Sequence, residues 1–208
     1  MKVGILGGTF DPVHIGHLNI AGIALEQASL DRVLFVPAGH PRLKQAEPAA
    51  SVKHSLEMVR LATADNPRFN VCDLEAFRSG PTYTVDTLTE LSDELGPESE
   101  LFFILGLDVL RQLDMWKDPA RVLGLCQILV FDRPGEQNFD WADFYCKVPE
   151  ANRRVRFITA PSMDISATEL RHNVATGIEL EGQIPELVAE YIQDQRLYRT
   201  CLLYTSDA

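Results

Sequence analysis

Residues 7–18 read Gly7-Gly8-Thr9-Phe10-Asp11-Pro12-Val13-His14-Ile15-Gly16-His17-Leu18, and they follow an apolar run that ends at Leu6. The apolar run predicts a buried strand, and the Ala- and Leu-rich residues 18–30 predict a helix. A glycine-bearing loop between a strand and a helix directs backbone N–H groups and the positive end of the helix dipole at one point. Because Gly7 and Gly8 let the backbone turn sharply and approach a ligand, this stretch predicts a phosphate-binding site.

The two histidines of this stretch, His14 and His17, are three residues apart and share one face of a first helical turn. Gly16 stands between them and places no side chain in the way. Two histidines at this spacing also occur as metal ligands, and Asp11 is the one candidate for a third ligand nearby. Since Pro12 constrains the backbone at that aspartate, we favour contact with phosphate over a metal site.

The chain has 208 residues, a formal net charge of -11, an isoelectric point near 4.9 and 46% hydrophobic residues. This length and apolar content suit one domain with a sizeable core. The acidic balance argues against broad binding to nucleic acids or to anionic membranes. An anionic substrate must therefore be held by local basic groups and by helix N-termini.

Neither a membrane span nor a secretory signal is predicted. No apolar run is long enough to cross a bilayer, and the chain passes from Met1 directly into the first strand, which leaves no room for a signal peptide. The four cysteines form no CxxC pair, and Cys72 and Cys126 fall in strand-like runs, where a reduced and packed thiol is the usual state. These features predict a cytoplasmic protein.

Apolar runs and helical patterns alternate along most of the remaining chain. The expected strands are 32–37, 69–74, 101–105, 127–131 and 155–158. The expected helices are 52–62, 84–95, 107–113, 119–125 and 184–198, and residues 138–152, which lack a clear period, are expected to form a loop. This alternation predicts an α/β fold, a Rossmann-like doubly wound parallel sheet with helices on both faces.

A second informative stretch reads Ile165-Ser166-Ala167-Thr168-Glu169-Leu170-Arg171. Ser166 is a good N-cap, and Glu169 stands three residues later, as in a capping box. A helix start with two hydroxyls and an arginine is a second anion site, although a capping box by itself is usually structural.

Parallel sheets bind ligands at the carboxyl ends of their strands. Five segments follow expected strands and are predicted to converge there: 7–17, 38–50, 106–108, Arg133 and 165–171. Asp108 is well placed for a ribose hydroxyl, and it also suits an ordinary N-cap. The basic segment 38–50 is either a phosphate contact or a solvated connector.

The two signature stretches together resemble the motif pair of the nucleotidyltransferase superfamily, and the chain is most similar there to the bacterial nicotinate-nucleotide adenylyltransferases. Further matches to that family are Glu75 with Arg78 and Gly80, residues 83–88, Gly106 with Asp108, Trp116, residues 133–135 and a closing helix. The resemblance covers residues 1–199, which we interpret as a single nucleotidyltransferase domain. Residues 200–208 match no family feature, and we interpret them as a non-native or disordered tail.

The resemblance implies transfer of the adenylyl group of ATP to nicotinate mononucleotide, giving deamido-NAD and pyrophosphate, with Mg²⁺ arriving with ATP. It implies catalytic roles for Thr9, His14, His17 and Arg171. It implies that ATP is bound by these four residues together with Gly7, Gly8, Phe10, Lys44, Gly106, Asp108, Ile165, Ser166 and Thr168. The acceptor substrate would be bound by Tyr83, Thr84, Trp116 and Arg133.

Three alternatives remain at this point. Another nucleotidyltransferase, such as phosphopantetheine adenylyltransferase or a cytidylyltransferase, shares the first motif. A fragment of a class I aminoacyl-tRNA synthetase also has a His-x-Gly-His motif, but the acidic pI, the short chain and the lack of a Lys-Met-Ser-Lys-Ser-like loop argue against it. A non-catalytic nucleotide-binding sensor is the third alternative. The sequence predicts no nucleic-acid or membrane partner and leaves open whether the protein is a homo-oligomer.

Overall fold

The computed structural model of the chain describes residues 1–39, 49–131, 139–161 and 165–199. The predictions for Lys44, for Arg133 and for the tail at 200–208 lie outside the described residues.

Within the described residues, a six-stranded sheet forms the centre of the fold. Its strands are β1 Lys2–Gly8, β2 Arg32–Pro37, β3 Phe69–Val71, β4 Glu100–Gly106, β5 Cys126–Phe131 and β6 Val155–Ile158. They lie in the order β3-β2-β1-β4-β5-β6, and every neighbouring pair is parallel. The predicted parallel sheet is confirmed, and its strand order reverses between β1 and β4.

Helices cover both faces of the sheet. They are α1 Ile15–Gln27, α2 Val52–Thr63, α3 Thr84–Leu95, α4 Leu107–Leu110, α5 Pro119–Leu125, α6 Trp141–Lys147, α7 Ala167–Thr176 and α8 Glu186–Asp194. One core contains buried side chains of α1, α2, α7 and α8, and a second core contains those of α3 to α6. In β1, Leu6 packs into the first core and Ile5 into the second, because alternate strand residues point to opposite faces. The doubly wound Rossmann-like architecture is therefore confirmed.

This topology indicates where a ligand would bind. Strands β1 and β4 are neighbours; a loop leads from β1 to α1, whereas β4 passes directly into α4, and the two helices pack on opposite faces of the sheet. Open α/β sheets bind ligands at such a point of reversal, outside the carboxyl ends of the strands.

The largest departure from the sequence prediction is in residues 138–152. The expected loop is wrong, because its described part contains α6 and a 3-10 helix at Pro149–Arg153. Asp140 caps α6 by accepting a hydrogen bond from the backbone N–H of Asp143 at 2.9 Å. The helix is only seven residues long and packs through Trp141 and Phe144, so it lacks the extended apolar period that identifies longer helices.

Smaller differences affect the ends of elements. Helix α1 begins at Ile15, three residues before the expected start, and β3 ends at Val71 rather than at Leu74. In the part of the chain that the structure describes, no helix has the length and apolar character needed to cross a membrane.

Candidate active site

The first signature loop leaves β1 at Gly8 and enters α1 at Ile15. Within it, Phe10 has a φ of 45°, in the left-handed region that a bulky residue rarely adopts. The Phe10 ring is buried and meets the His17 ring edge-on, with the ring centroids 5.0 Å apart. This strained turn therefore packs a buried aromatic ring against a histidine at the start of the helix.

His14 and His17 stand side by side at the amino end of α1. Their ring centroids are 3.7 Å apart and their planes are inclined by 27°, which confirms the predicted shared face. The backbone N–H of His14 donates a hydrogen bond to Nδ1 of His17 at 3.2 Å. Because Nδ1 accepts this bond, the proton of a neutral His17 ring lies on Nε2, and Nε2–H is a donor suited to an anion.

Gly16 is needed for this arrangement. A Cβ at Gly16 would lie 2.9 Å from Nδ1 and 3.0 Å from Cε1 of His14. The imidazole of His14 therefore lies across the backbone of Gly16, and any larger residue would displace the ring. Gly16 thus allows the His14 ring to pack directly against the backbone at the start of α1.

The second signature stretch begins α7. Ser166 is the N-cap, and its Oγ accepts a hydrogen bond from the backbone N–H of Glu169 at 3.2 Å, as the sequence predicted. Thr168 lies in the first turn, and its Oγ1 accepts a hydrogen bond from Nη2 of Arg171 at 3.2 Å. The amino end of α7 thus presents hydroxyls and a guanidinium together.

Arg171 joins the two signature stretches. Its Nη1 donates a hydrogen bond to the backbone carbonyl oxygen of Asp11 at 2.7 Å, across 160 residues of sequence. The same Nη1 lies 4.0 Å from Oδ2 of the Asp11 carboxylate. The predicted convergence of the loop at 7–17 with the turn at 165–171 is confirmed by these contacts.

The carboxylate of Asp11 faces protein donors. Its Oδ2 accepts a hydrogen bond from the backbone N–H of Ala49 at 2.7 Å, and its Oδ1 accepts one from Ala50 at 3.1 Å and one from the Tyr198 hydroxyl at 2.7 Å. Among the described residues, no group of three or more His, Cys, Asp or Glu side chains is placed to hold a metal ion. Asp11 therefore completes a hydrogen-bonded junction between the first signature loop, the residues before α2 and the segment after α8.

The junction of β4 with α4 flanks the same end of the sheet. Gly106 is the N-cap of α4, so Asp108 lies in the first turn of that helix and does not cap it. A Cβ at Gly106 would lie 2.5 Å from Oδ1 of Asp108, which shows that the carboxylate folds back over the glycine. Asp108 is exposed, so its carboxylate is accessible to a ligand from solvent.

Trp116 packs against the second core, whereas the two signature stretches pack against the first. Its ring meets Phe103 of β4 edge-on, with the ring centroids 5.8 Å apart and the planes at 88°. The Phe103 ring lies 3.4 Å from the position that a Cβ of Gly7 would occupy. The Phe103 ring therefore contacts Trp116 and also lies beside Gly7.

Tyr83 and Thr84 form the start of α3, with Tyr83 as the N-cap. Lys117, the residue after Trp116, places its Nζ 4.6 Å from the centroid of the Tyr83 ring. The same Nζ pairs with the carboxylate of Asp86 at 2.9 Å. Lys117 therefore joins the amino end of α3 to the segment around Trp116.

The described site residues therefore fall into two groups, which pack with the two different cores of the sheet. The first group comprises the signature stretches, and the second comprises Tyr83, Thr84 and Trp116. Sequence reasoning missed two side chains that tie the site together, Tyr198 and Lys117, and gave Asp11 only a metal-ligand alternative. No local pattern identifies their partners, because Tyr198 and Asp11 are 187 residues apart.

Comparisons with known proteins were consistent with this geometry. Residues 5–173 match the cytidylyltransferase-like family. In a solved structure of Plasmodium falciparum nicotinic acid mononucleotide adenylyltransferase complexed with NaAD, the similar region covers 95% of this chain and 97% of that chain, with a TM-score of 0.75. The sequence identity is 21%, so this likeness supports the fold.

Curated relatives are similar over nearly their whole length. A protein of Roseiflexus sp. (strain RS-1) is 45% identical over 197 residues, which cover 95% of this chain and 98% of the relative. One of Dehalococcoides mccartyi (strain CBDB1) is 39% identical over 198 residues, which cover 95% and 97%. Both carry the name "Probable nicotinate-nucleotide adenylyltransferase". Two signature stretches joined at the reversal point of the sheet, together with this full-length similarity, place the chain in the nicotinate-nucleotide adenylyltransferase family.

Proposed function

We propose that this protein transfers the adenylyl group of ATP to nicotinate mononucleotide, producing deamido-NAD and pyrophosphate in NAD biosynthesis. The observation that supports the proposal is the hydrogen bond from Arg171 to Asp11, which joins the loop before α1 to α7 and so brings the two signature stretches together. The names of relatives that are similar over nearly the whole chain supply the substrate class.

The reaction requires little proton chemistry. A phosphate oxygen of nicotinate mononucleotide attacks the α-phosphorus of ATP, and the bond from that phosphorus to the β-phosphate bridging oxygen breaks. The attacking phosphate is already ionised, so no strong general base is needed. Negative charge grows on the α-phosphate and on the leaving pyrophosphate, so positioned donors can supply the rate enhancement.

The donors on the ATP side come from α1 and α7. Thr9, His14 and the Nε2–H of His17 are proposed to contact the α-phosphate region, beside the backbone N–H groups at the amino end of α1. Ser166, Thr168 and Arg171 are proposed to hold the β- and γ-phosphates, which leave as pyrophosphate. Local donors of this kind are required because the whole chain carries a formal charge of -11.

The remaining predicted ATP contacts surround these donors. Gly7, Gly8 and Phe10 shape the first loop, Ile165 precedes α7, and Gly106 with Asp108 is proposed to bind the nucleotide sugar. The exposed Asp108 carboxylate, folded over Gly106, suits hydrogen bonds to ribose hydroxyls.

The acceptor is proposed to bind at the second group of site residues. Trp116 is proposed to stack on the nicotinate ring, and the backbone N–H groups at the start of α3, at Tyr83 and Thr84, are proposed to meet its carboxylate. A helix N-terminus favours a negatively charged group, so this site would prefer the acid over the amide. Lys44 and Arg133 stay predictions for phosphate contacts.

Mg²⁺ is proposed to enter as part of the substrate, Mg-ATP. The described residues hold no cluster of three acidic, histidine or cysteine side chains placed for a metal, and the Asp11 carboxylate is already occupied by three donors. The described side chains therefore suit a Mg²⁺ ion that arrives bound to the phosphates of ATP better than a metal ion held by the protein alone. Residues 1–199 are proposed to act as one domain, and the reaction is proposed to take place in the cytoplasm.

Pyrophosphate release tests the proposal. The protein is incubated with Mg-ATP and with nicotinate mononucleotide, nicotinamide mononucleotide or phosphopantetheine as separate acceptors, and CTP replaces ATP in a parallel series. A strong preference for ATP with nicotinate mononucleotide is expected. Preference for another pair would assign the chain to a different nucleotidyltransferase, and tight ATP binding without turnover would favour a nucleotide sensor.

Substitutions of His17 and of His172 provide a test variant and its control. We expect His17→Ala to lower kcat by about 100-fold or more while the fold is kept, because a donor to the developing charge is lost. His172→Ala removes an exposed histidine of α7 and should retain the rate. A rate for His17→Ala close to that of the unmodified protein would refute the assigned role of this residue.

A further inference from the structure

Asp11 carries a buried charge that the proposed chemistry does not use. Asp11 is 4% exposed, and among the described residues it is the only buried Asp or Glu, since the other buried polar residues are histidine, serine and threonine. A buried carboxylate is costly unless it is fully hydrogen-bonded. Asp11 lies at the junction of both signature stretches, so its hydrogen bonds bear on the geometry of both.

Three donors from distant parts of the chain fix the Asp11 carboxylate. The backbone N–H groups of Ala49 and Ala50, just before α2, donate at 2.7 and 3.1 Å, and the Tyr198 hydroxyl donates at 2.7 Å. Burial and the hydrogen bond to Asp11 raise the pKa of Tyr198. The phenol therefore keeps its proton, and the carboxylate has little freedom to rotate.

The fixed aspartate in turn restrains the guanidinium of Arg171. Nη1 donates to the Asp11 carbonyl oxygen at 2.7 Å and lies 4.0 Å from the carboxylate, while Nη2 donates to Thr168 at 3.2 Å. A guanidinium has five N–H donors, and these contacts use two of them in defined directions. The remaining N–H groups are held in one orientation, at the amino end of α7.

We infer that Asp11 is a positioning residue for Arg171, and that Tyr198, from the segment after α8, completes the support. The inference rests on the proposed function, in which Arg171 holds the pyrophosphate part of ATP. An arginine that is oriented before the anion arrives loses less conformational freedom on binding than one that must be ordered by the ligand. The C-terminal segment thus contributes to phosphate binding without touching phosphate.

Binding of inorganic pyrophosphate tests the inference, and it is measured by titration calorimetry without an acceptor. Tyr198→Phe removes one hydroxyl from the support. The matched control is Tyr191→Phe, which removes the α8 hydroxyl that lies 2.9 Å from Nδ1 of His54 and does not contact Asp11. We expect the Kd for pyrophosphate to rise about threefold to tenfold in Tyr198→Phe and to stay within about twofold in Tyr191→Phe.

Arg171→Ala shows whether the tyrosine acts through the arginine. In a double-mutant cycle, adding Tyr198→Phe to Arg171→Ala should cause no further loss of pyrophosphate affinity. An equal loss in both backgrounds, or the same loss in Tyr191→Phe, would overturn the inference. Because the measurement needs no turnover, a chain that bound pyrophosphate in the expected pattern but made no deamido-NAD would contradict only the proposed function.

Asp11→Asn provides a second test of whether Asp11 positions Arg171. The amide would place an N–H₂ group against backbone N–H donors, so this variant is checked first by thermal unfolding. If it folds, its pyrophosphate Kd should rise at least as much as that of Tyr198→Phe, and an unchanged Kd would contradict the inference. If it does not fold, the tyrosine and arginine variants decide the result.

Discussion

The hydroxyl of Tyr198 donates a 2.7 Å hydrogen bond to Oδ1 of Asp11, and this contact joins the segment after α8 to the loop after β1. A carboxylate from the start of the chain and a phenol from near its described end thereby meet beside Arg171. The closing segment of the fold is therefore part of the support of the candidate active site.

The raised pKa of Tyr198 predicts how stability depends on pH. In the unfolded chain a tyrosine ionises near pH 10, whereas burial and the bond to Asp11 keep the folded phenol protonated above that pH. The contribution is therefore complete below about pH 10 and declines as the pH rises further, because the unfolded state then releases a proton that the folded state retains. We expect the stability difference between the unmodified protein and Tyr198→Phe to shrink between about pH 8 and about pH 11 in urea unfolding. If this stability difference stayed constant over the range, it would contradict a raised pKa of Tyr198 in the folded protein.

Gly16→Ala should separate activity from stability. The new Cβ would lie 2.9 Å from Nδ1 of His14, so the ring must move away from its position beside His17. We expect kcat to fall about tenfold or more, since small displacements of catalytic groups have large effects. The melting temperature should change little.

Gly22→Ala, in the same helix, is the matched control. A Cβ at Gly22 has no heavy atom within 4 Å, and alanine is the better helix former by up to about 1 kcal/mol. This variant should keep full activity and unfold at a higher temperature. Equal losses of kcat in both variants would show that the effect is a general property of α1.

Local features of the sequence were enough to predict the frame of the site. The strand, glycine loop and helix around residues 7–18 form one continuous unit, so their order and the shared face of His14 and His17 follow from spacing alone. Alternation of strands and helices then predicted the sheet, because parallel neighbours require crossover helices. The Ser166 cap was also predictable, because a capping box is a local pattern of four residues.

Contacts between distant residues could not be predicted in this way. The role of Asp11 depends on Tyr198 and on two backbone N–H groups before α2, and no spacing rule relates these positions. Helix α6 was missed for a related reason, since it is short and is stabilised by aromatic packing between Trp141, Phe144 and Phe157 on β6. Helix α6 is therefore stabilised more by its packing against the rest of the protein than by the helix propensity of its own residues.

Trp116→Ala should affect the two substrates unequally. If the indole stacks on the nicotinate ring, its removal should raise the KM for nicotinate mononucleotide about tenfold and change the KM for ATP much less. Trp141→Ala is the control, because it removes the other tryptophan from a cluster with Phe139 and Phe157 at the β6 edge. That variant should be destabilised without altering the ratio of the two KM values. Equal increases in both KM values for Trp116→Ala would remove this residue from the acceptor site.

The described cysteines should differ sharply in reactivity. Burial raises the pKa of the Cys126 thiol to about 12, and it also raises the pKa of Cys72, whereas Cys146 is exposed on α6. Because only the thiolate is nucleophilic, iodoacetamide at about pH 8 should label Cys146 quickly and leave Cys126 unmodified until the protein unfolds. Peptide mapping by mass spectrometry identifies the labelled positions, and Cys146→Ser should abolish the fast label at that peptide while the protection of Cys126 persists. Rapid labelling of Cys126 in the folded protein would mean that β5 opens to solvent, which is incompatible with a central strand paired on both sides by β4 and β6.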